Sequence, residues 1–139
     1  MNIVYSYFVL DIVHRGHLIF LKNAKAIAGS EGRLIVGVVS DKAILEKKGS
    51  LPVLEYSERL ELAQAIKYVD MVVGQDKYTP YENVRNIVPN ILMESESHSA
   101  DQINKSKKVM KELGGRVIVM PYFHDQSSSI IKAKIAPSA

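Results

Sequence analysis

The sequence contains no cysteine and no long hydrophobic run, and each absence excludes a class of protein. Without cysteine there is no disulfide bond, no thiolate zinc site and no cysteine nucleophile. No apolar stretch approaches the roughly 20 residues that a membrane-spanning helix needs. The opening segment MNIVYSYFVL lacks the basic residues that begin a signal peptide. We therefore expect a cytoplasmic protein that does not cross a membrane.

A strong charge of one sign is also missing. The formal net charge is +3 at pH 7, and 24% of the 139 residues are charged and 47% hydrophobic, which is ordinary for a globular protein. Aromatic residues are not interleaved with lysine and arginine as they are in nucleic-acid-binding segments. The chain shows no internal repeat, no low-complexity segment and no linker. We predict a single domain over residues 1–139 that takes a small anionic substrate and binds neither nucleic acid nor membrane.

What is present is a regular alternation of short β-rich runs and longer helical stretches. Strands are predicted at 2–9, 33–40, 70–74, 90–93 and 116–122, and long helices at 17–28, 57–68 and 99–114, with shorter ones after residues 40, 80 and 126. Thr79 is the expected N-cap before Pro80, and Ser99 opens a capping box with Gln102. This alternation predicts an α/β protein, a Rossmann-like three-layer sandwich whose parallel sheet of about five strands carries helices on both faces.

The stretch DIVHRGHLIF, residues 11–20, comes directly after the first strand, where a parallel α/β sheet binds its ligands. It brings His14 and His17 close together at the start of a predicted helix. Three interpretations compete: a metal site with Asp11 as a third ligand, two imidazoles that only satisfy backbone groups, or a cradle for phosphate. Arg15 between the histidines disfavours a bound cation, and a zinc site usually has a fuller set of ligands.

The phosphate interpretation accounts for more of the stretch. The start of a helix offers free backbone N–H groups and a partial positive charge, both of which attract anions. Gly16 lets a phosphate approach the backbone closely. The two imidazoles can donate hydrogen bonds to a leaving pyrophosphate as its charge grows. Asp11 is a candidate ligand for Mg²⁺, or a group that orients a histidine.

The segment from His14 to His17 resembles the His-x-Gly-His signature of the nucleotidyltransferase superfamily, and the resemblance extends along nearly the whole chain. VGVVSDKAI resembles the second strand of that family and its trailing Ser-Asp. KKGSLPVLEYSERLELAQAIKYVDMVV is similar to the lysine-bearing loop, the arginine-bearing helix and the next strand of the cytidylyltransferases. GGRVIVMPYFHDQSSSIIKAKI is similar to their closing strand, hydroxyl triplet and helix. The nearest resemblances are to glycerol-3-phosphate cytidylyltransferase and to the adenylyltransferase domain of ADP-heptose synthase.

The resemblance implies one nucleotidyltransferase domain that moves a nucleoside monophosphate from CTP or ATP, with Mg²⁺, to a small phosphorylated acceptor. The acceptor would be glycerol 3-phosphate, a heptose or other sugar phosphate, or a phosphonate, as in the synthesis of lipopolysaccharide and other cell-envelope precursors. An acceptor oxygen attacks the α-phosphorus and pyrophosphate leaves. By matching positions, His14 and His17 bind the triphosphate, Lys47 or Lys48 neutralises phosphates from a loop, and Arg59 contacts phosphate or acceptor. A homodimer is common among such relatives.

The same resemblance assigns further residues to the nucleotide. Ser127, Ser128 and Ser129 offer hydroxyls and helix N–H groups to the β- and γ-phosphates. The residues expected beside the nucleotide on the other side are Phe8, Val9, Asp11 and Gly16. Structural roles remain open: the arginine could be a surface residue, the lysines could be only solvated, and the serines could be only an N-cap.

Two departures from the family bear on whether the chain turns over substrate. Many relatives carry Gly-Thr-Phe-Asp where this chain has Phe8 to Asp11, so a glycine is missing beside the nucleotide. Several cytidylyltransferases carry an arginine before the hydroxyl triplet, where this chain has Tyr122 to Asp125 with His124 as a candidate replacement. These losses keep open an alternative of another class, a nucleotide-binding protein of the same fold without turnover.

A third departure bears on specificity. After the fourth strand many relatives have Gly-x-Asp, whereas this chain has MESESHS. Glu94, Glu96 and His98 then lie where the base or the acceptor is expected. We predict altered specificity there, with a second metal site as the alternative interpretation.

Overall fold

Residues 1–136, which the computed structural model describes, contain five β-strands and six α-helices; residues 137–139 of the predicted domain lie outside the described part. The strands are β1 (Ile3–Phe8), β2 (Arg33–Val39), β3 (Met71–Gln75), β4 (Ile91–Ser95) and β5 (Arg116–Met120). The helices are α1 (Arg15–Ala28), α2 (Asp41–Lys48), α3 (Tyr56–Gln64), α4 (Tyr81–Ile87), α5 (Ala100–Glu112) and α6 (Ser128–Ile135). In this part of the chain no helix combines the length and the apolar character that crossing a membrane requires.

The sheet is parallel throughout, with the strand order β3-β2-β1-β4-β5. β1 therefore lies in the centre, paired with β2 on one side and β4 on the other. The chain winds outward in both directions from this point, and sheets of this type bind ligands in the crevice that opens there, beyond the carboxyl ends of the strands. The predicted α/β class, with about five parallel strands, is confirmed.

Helices cover both faces of the sheet, because alternate residues of β1 are buried on opposite sides. Val4 packs with Leu21 of α1 in one apolar cluster, to which α3 also contributes. Tyr5 packs with Val84 of α4 and Met110 of α5 in the other. A strand that is buried on both faces exposes few side chains to water, so its residues are mostly apolar. This explains the near-continuous apolar runs of the strand sequences.

The structure corrects several predicted boundaries. α1 begins two residues earlier than predicted, because His14 is its N-cap. α3 ends at Gln64 rather than near residue 68, because the chain turns there to enter β3. β4 continues to Ser95, two residues beyond the predicted end.

The predicted cap of α4 is wrong, whereas that of α5 is confirmed. Pro80, not Thr79, is the N-cap residue of α4: the Pro80 carbonyl accepts the first helical hydrogen bond, from Val84 N at 2.9 Å, and no side chain caps this helix. Ser99 caps α5 by accepting a hydrogen bond from Gln102 N at 3.1 Å.

Candidate active site

A cavity of about 450 Å³ lies beyond the carboxyl ends of β1, β4 and β5, in the crevice beside β1. One wall is the start of α1, and the facing walls are the loops that follow β4 and β5. The predicted residues among its lining are Phe8, His14, Gly16, His17, His98, Ser127 and Ser128. The sequence motif at residues 14–17 and the loop after β4 thus meet at one site.

The two histidines of α1 form the cap of their own helix. His14 Nδ1 accepts a hydrogen bond from Gly16 N at 3.0 Å, and His17 Nδ1 accepts one from His14 N at 3.3 Å. The ring centroids are 4.0 Å apart. Because each Nδ1 uses its lone pair on a backbone N–H, the proton of each neutral ring is on Nε2. Both imidazoles therefore have an Nε2–H donor.

Burial keeps this pair uncharged. It lowers the pKa of His14, and it lowers the pKa of His17 to about 3, with the charge of His14 as the second cause. The edge of Phe8 packs on His17, with ring centroids 5.6 Å apart. At neutral pH the site therefore offers neutral N–H donors to an anion, held rigidly by the backbone of α1.

Gly16 has a packing role as well as the predicted one. A Cβ at this position would lie 2.8 Å from His14 Cε1 and 3.1 Å from Phe123 Cδ1. Any larger side chain would thus displace the His14 ring. The glycine is needed to seat the imidazole against the helix start, whatever a ligand requires.

A second, smaller cavity of about 160 Å³ adjoins His17, and only one of the two predicted lysines lines it. Lys48 lines it, whereas Lys47 extends toward Tyr78, with Nζ 5.9 Å from the ring centroid. Lys132 of α6 also lines this cavity and was missed by the sequence reasoning. Its position one turn into the last helix, three residues after the serine triplet, was the available signal.

The serines surround the start of α6 in different roles. Ser127 is the N-cap and accepts a hydrogen bond from Ile130 N at 3.1 Å. Ser128 donates to the carbonyl of Ile12 at 2.9 Å and lines both cavities, and Ser129 lines the smaller one. The structural role of Ser127 as a cap is thus present, and the helix start faces the same space as that of α1.

Asp11 is a structural anchor in this arrangement. Its carboxylate accepts hydrogen bonds from Val53 N at 2.9 Å and Leu54 N at 2.8 Å, and Lys132 Nζ lies 2.5 Å away. Burial alone would raise the pKa of Asp11, but these hydrogen bonds together lower it. The preceding Leu10 is buried and has φ +54°, a left-handed conformation that costs a residue with a side chain about 1–2 kcal/mol.

This environment does not fit the prediction that Asp11 holds Mg²⁺. Both carboxylate oxygens already accept hydrogen bonds, and a metal at Oδ2 would compete with the cation Lys132. Within residues 1–136, no group of three or more histidine, aspartate and glutamate side chains is arranged to hold a metal ion. The metal interpretation of His14 and His17 gains no support from the structure either, since both Nδ1 atoms are engaged.

The structure also corrects the prediction for Arg59. Its side chain is fully buried, and its donors are bound to protein groups rather than facing either cavity. The acceptors are the carbonyls of Val9, Val39 and Leu54, at 2.6, 2.8 and 3.2 Å, and Asp41 Oδ1 at 2.6 Å. Arg59 therefore joins the ends of β1 and β2 to the loop before α3, and it contacts no substrate site. Val9 contributes its carbonyl to this joint and lines the smaller cavity.

On the other side of the crevice, Glu94 is completely buried and holds His98. Tyr7 Oη donates to both carboxylate oxygens at 2.9–3.0 Å, and Ser106 Oγ donates to one of them at 2.8 Å. His98 Nδ1 lies 2.5 Å from the other oxygen. Burial and the charge of Glu94 raise the pKa of Tyr7, which keeps its hydroxyl protonated.

The remaining candidates lie at the margin of this site. Glu96 accepts a hydrogen bond from Tyr122 N at 2.8 Å, and within residues 1–136 Glu94, Glu96 and His98 do not form a group arranged to hold a metal ion, so the alternative of a second metal site gains no support. His124 is 77% exposed, its Nε2 is 4.0 Å from Glu96, and it does not line the larger cavity. The structure gives it no role as a replacement for the missing arginine.

Comparison with known proteins agrees with the family that the sequence motif resembles. The profile of a family described as cytidylyltransferase-like matches residues 9–134. FAD synthase from Korarchaeum cryptofilum is 32% identical over 126 residues, which cover 90% of this chain and 85% of that protein. Bifunctional protein HldE from Blochmanniella floridana is 35% identical over 131 residues; the match covers 94% of this chain but only 26% of that protein. The crystal structure of a lipopolysaccharide core biosynthesis protein from Thermoplasma volcanium superposes with a TM-score of 0.72, at 25% identity, over 88% of this chain and 97% of that one.

Proposed function

The chain belongs to the cytidylyltransferase-like family and is an enzyme of the cytidylyltransferase or adenylyltransferase type, and on this premise we propose that it transfers CMP or AMP from a nucleoside triphosphate to a small phosphorylated acceptor and releases pyrophosphate. The observation that supports the proposal best is the pair of neutral imidazoles at the start of α1. Their Nδ1 atoms are bound to the backbone, and their Nε2–H groups remain for a ligand.

In the proposed reaction an oxygen of the acceptor phosphate attacks the α-phosphorus, and the bond from that phosphorus to the bridging oxygen of pyrophosphate breaks. Negative charge accumulates on the leaving pyrophosphate, which is where His14 and His17 donate their Nε2–H groups. Fixed donors of this kind stabilise a developing charge without having to reorganise. The remaining catalysis is alignment of the two substrates, as is general for phosphoryl-type transfers.

The smaller cavity supplies the cationic part of the proposal. Lys48 from the end of α2 and Lys132 from α6 both line it, together with Ser128 and Ser129. We assign these groups to the β- and γ-phosphates, with the start of α6 adding its free N–H groups and partial positive charge. Mg²⁺ is proposed only as the counter-ion that the triphosphate carries, since both oxygens of Asp11 already bind protein groups and Mg²⁺ commonly relies on substrate phosphates.

Two candidate acceptors follow from the names of the relatives. The lipopolysaccharide core biosynthesis protein and HldE favour a sugar phosphate, and FAD synthase favours a flavin phosphate. The test is pyrophosphate release with each of the four common nucleoside triphosphates against glycerol 3-phosphate, heptose and other sugar phosphates, a phosphonate and FMN. We expect at least one pair to react, with one nucleotidylated acceptor formed per pyrophosphate, as measured by mass spectrometry.

A second candidate is a nucleotide-binding protein without turnover. It is favoured by one observation: no arginine lines either cavity within residues 1–136, because Arg59 is committed to the protein interior. Isothermal titration calorimetry with the same nucleotides separates the two candidates. Binding without any reacting pair supports the second, and the absence of nucleotide binding contradicts both.

A further inference from the structure

Buried Glu94 and half-buried His98 form a polar pair, and the position of the proton between them decides whether His98 offers the larger cavity a hydrogen-bond donor or an acceptor. Gln102 Nε2 donates to Tyr7 Oη at 2.6 Å, so the tyrosine hydroxyl uses its own proton on Glu94. Ser106 also donates to the carboxylate. A carboxylate that already accepts from two hydroxyls is an acceptor toward its third neighbour as well. The proton between Glu94 and His98 therefore lies on His98 Nδ1.

This proton fixes the tautomer of His98. In the uncharged form of a ring with Nδ1 protonated, the lone pair lies on Nε2, for which residues 1–136 provide no hydrogen-bond partner. His98 is 31% exposed at its side chain and lines the larger cavity. The cavity therefore has an unused hydrogen-bond acceptor on the β4 side and two unused donors, on His14 and His17, on the α1 side.

The walls around His98 suit a flat ring. Its imidazole stacks on Tyr7, with centroids 5.8 Å apart and an interplanar angle of 27°. Much of the remaining wall is aromatic or apolar, with Phe20, Met93, Met120, Tyr122 and Phe123 among the lining residues. An apolar cleft with a few convergent polar groups is the usual form of a site for a ring-shaped ligand, whereas a polyhydroxylated acceptor would need more polar partners.

The position of His98 fits a nucleobase whose phosphates lie at α1. His14 follows β1 and His98 follows β4, and these two strands are neighbours in the sheet. Adjacent strands are about 4.8 Å apart, so the two histidine sites flank one crevice rather than separate pockets. A nucleotide with its phosphates on the His14 side has its base within reach of the other wall.

We propose that His98 Nε2 accepts a hydrogen bond from the exocyclic amino group of the nucleobase, so that the site selects adenine or cytosine over bases with a carbonyl at that position. The inference rests on the proposed function, since it needs a bound nucleotide. Adenine N6 and cytosine N4 are donors, whereas guanine O6, uracil O4 and the O6 of hypoxanthine are acceptors. A carbonyl there would place two lone pairs against each other.

The direct test is the affinity of the protein for two matched pairs of nucleotides, ATP with ITP and CTP with UTP. Members of each pair differ in the amino or carbonyl group that faces His98. In at least one pair we expect the amino nucleotide to bind about 5- to 150-fold more tightly, the range for leaving a buried hydrogen-bonding group unpaired. Equal affinity within both pairs overturns the inference while leaving the proposed function intact. Absence of binding by all four nucleotides contradicts the proposed function itself.

His98→Phe makes the test specific to the residue. The variant keeps a flat ring on Tyr7 but removes Nε2, so the affinity ratio within each pair should fall to about 2-fold or less. A merely structural role would weaken both members equally and leave the ratio unchanged. His124→Phe is the matched control, because that imidazole is exposed and outside the cavity, and it should keep the wild-type ratio. If His98→Phe changes the KM for the acceptor and not the nucleotide ratio, the ring in the cavity belongs to the acceptor and the inference is wrong.

A measurement on the unmodified protein keeps the inference testable if the variant does not fold. Nitrogen-15 NMR of histidine-labelled protein distinguishes the two neutral tautomers. We expect the Nδ1–H form for His98 and the Nε2–H form for His14 and His17. In the pair that shows selection, we expect the Nε2 resonance of His98 to shift with the amino nucleotide but not with its carbonyl counterpart. An Nε2–H form of His98 in the free protein contradicts the proposed recognition.

Discussion

The two sides of the crevice use the same side chain in opposite ways. On the α1 side, His14 and His17 give their Nδ1 lone pairs to backbone N–H groups, which leaves Nε2–H donors. On the β4 side, His98 Nδ1–H donates a hydrogen bond to Glu94, which leaves an Nε2 acceptor. Whether a histidine offers a binding site a hydrogen-bond donor or an acceptor is therefore set by the partner of its other ring nitrogen, and not by its place in a sequence motif.

The difference also separates rate from selectivity. Donors that face phosphate act on a charge that grows during the reaction, so a change on the α1 side should lower turnover for every nucleotide alike. An acceptor that faces a base acts equally in the ground state and the transition state, so a change on the β4 side should alter which nucleotide binds. Four experiments test this division, and they follow in order of the size of the expected effect.

The largest effect is expected from a residue that belongs to neither side. Arg59→Met removes the donors of three backbone carbonyls, and each buried group left without a partner costs about 1–3 kcal/mol. We expect the free energy of unfolding to fall by about 3–5 kcal/mol in urea denaturation, with little change in the KM of the protein that remains folded. The control is Glu58→Gln, an exposed neighbour on α3. Unchanged stability with a strongly raised KM would restore the arginine to the phosphate site.

The next largest effect is expected on turnover. His17→Ala removes one donor from the leaving pyrophosphate and should lower kcat by about 100- to 1000-fold, as the loss of one fixed donor does in other enzymes. Thermal melting should show that the variant is folded. His124→Ala, on an exposed loop, is the control and should keep wild-type turnover. A His17→Ala enzyme with normal kcat would remove the α1 side from the chemistry.

A matched pair of lysine variants measures the cationic part of the α1 side. Lys48→Ala removes a charged hydrogen bond to phosphate, which is worth about 1.5–3 kcal/mol, so kcat/KM should fall by about 10- to 150-fold. Lys47→Ala changes a residue that extends toward Tyr78 instead, and a fall of about 3-fold or less is expected. Steady-state kinetics of pyrophosphate release provide both numbers. Equal losses in the two variants would contradict the assignment of Lys48 to the smaller cavity.

These contrasts also show where sequence reasoning was sufficient. Local patterns, namely apolar runs, helix starts and glycine stops, predict the five strands, their parallel direction and the position of the His14–His17 motif. Such patterns depend only on neighbouring residues, and the element boundaries that they predict are wrong by only a few positions. The Thr79 cap is an example: a proline indicates that a helix begins nearby, but it does not indicate which residue is the N-cap.

The errors at the site concern long-range burial instead. A charged residue in the middle of a polar helix, such as Arg59, is ordinarily exposed. It is buried here because carbonyls of Val9 and Val39 from two strands converge on it, and no local pattern reports that convergence. Glu94 was likewise predicted just after the fourth strand, facing the base or the acceptor, although it belongs to β4 and is buried against Ser106 of α5. The spacing of four residues between Glu94 and His98 was the only local signal of their contact.

The last experiment, which separates the two sides without a substrate, measures the pH dependence of stability, and its effect per pH unit, at most about 1.4 kcal/mol for one group, is the smallest. The pKa of His17 falls from 6.5 to about 3 on folding, so the unfolded chain binds more protons than the folded one between these values. The free energy of unfolding should therefore decrease as the pH is lowered from 6.5 toward 3. The lowered pKa of Asp11 adds its own loss only below about pH 4, so the range from pH 4.5 to 6.5 isolates the histidines. His17→Asn keeps a side-chain acceptor for His14 N but does not titrate, and urea denaturation should give a flatter slope for it in this range. If the slope matches that of the wild-type protein, burial does not hold His17 neutral, and the contrast between a neutral α1 pair and a carboxylate-bound His98 loses its electrostatic basis.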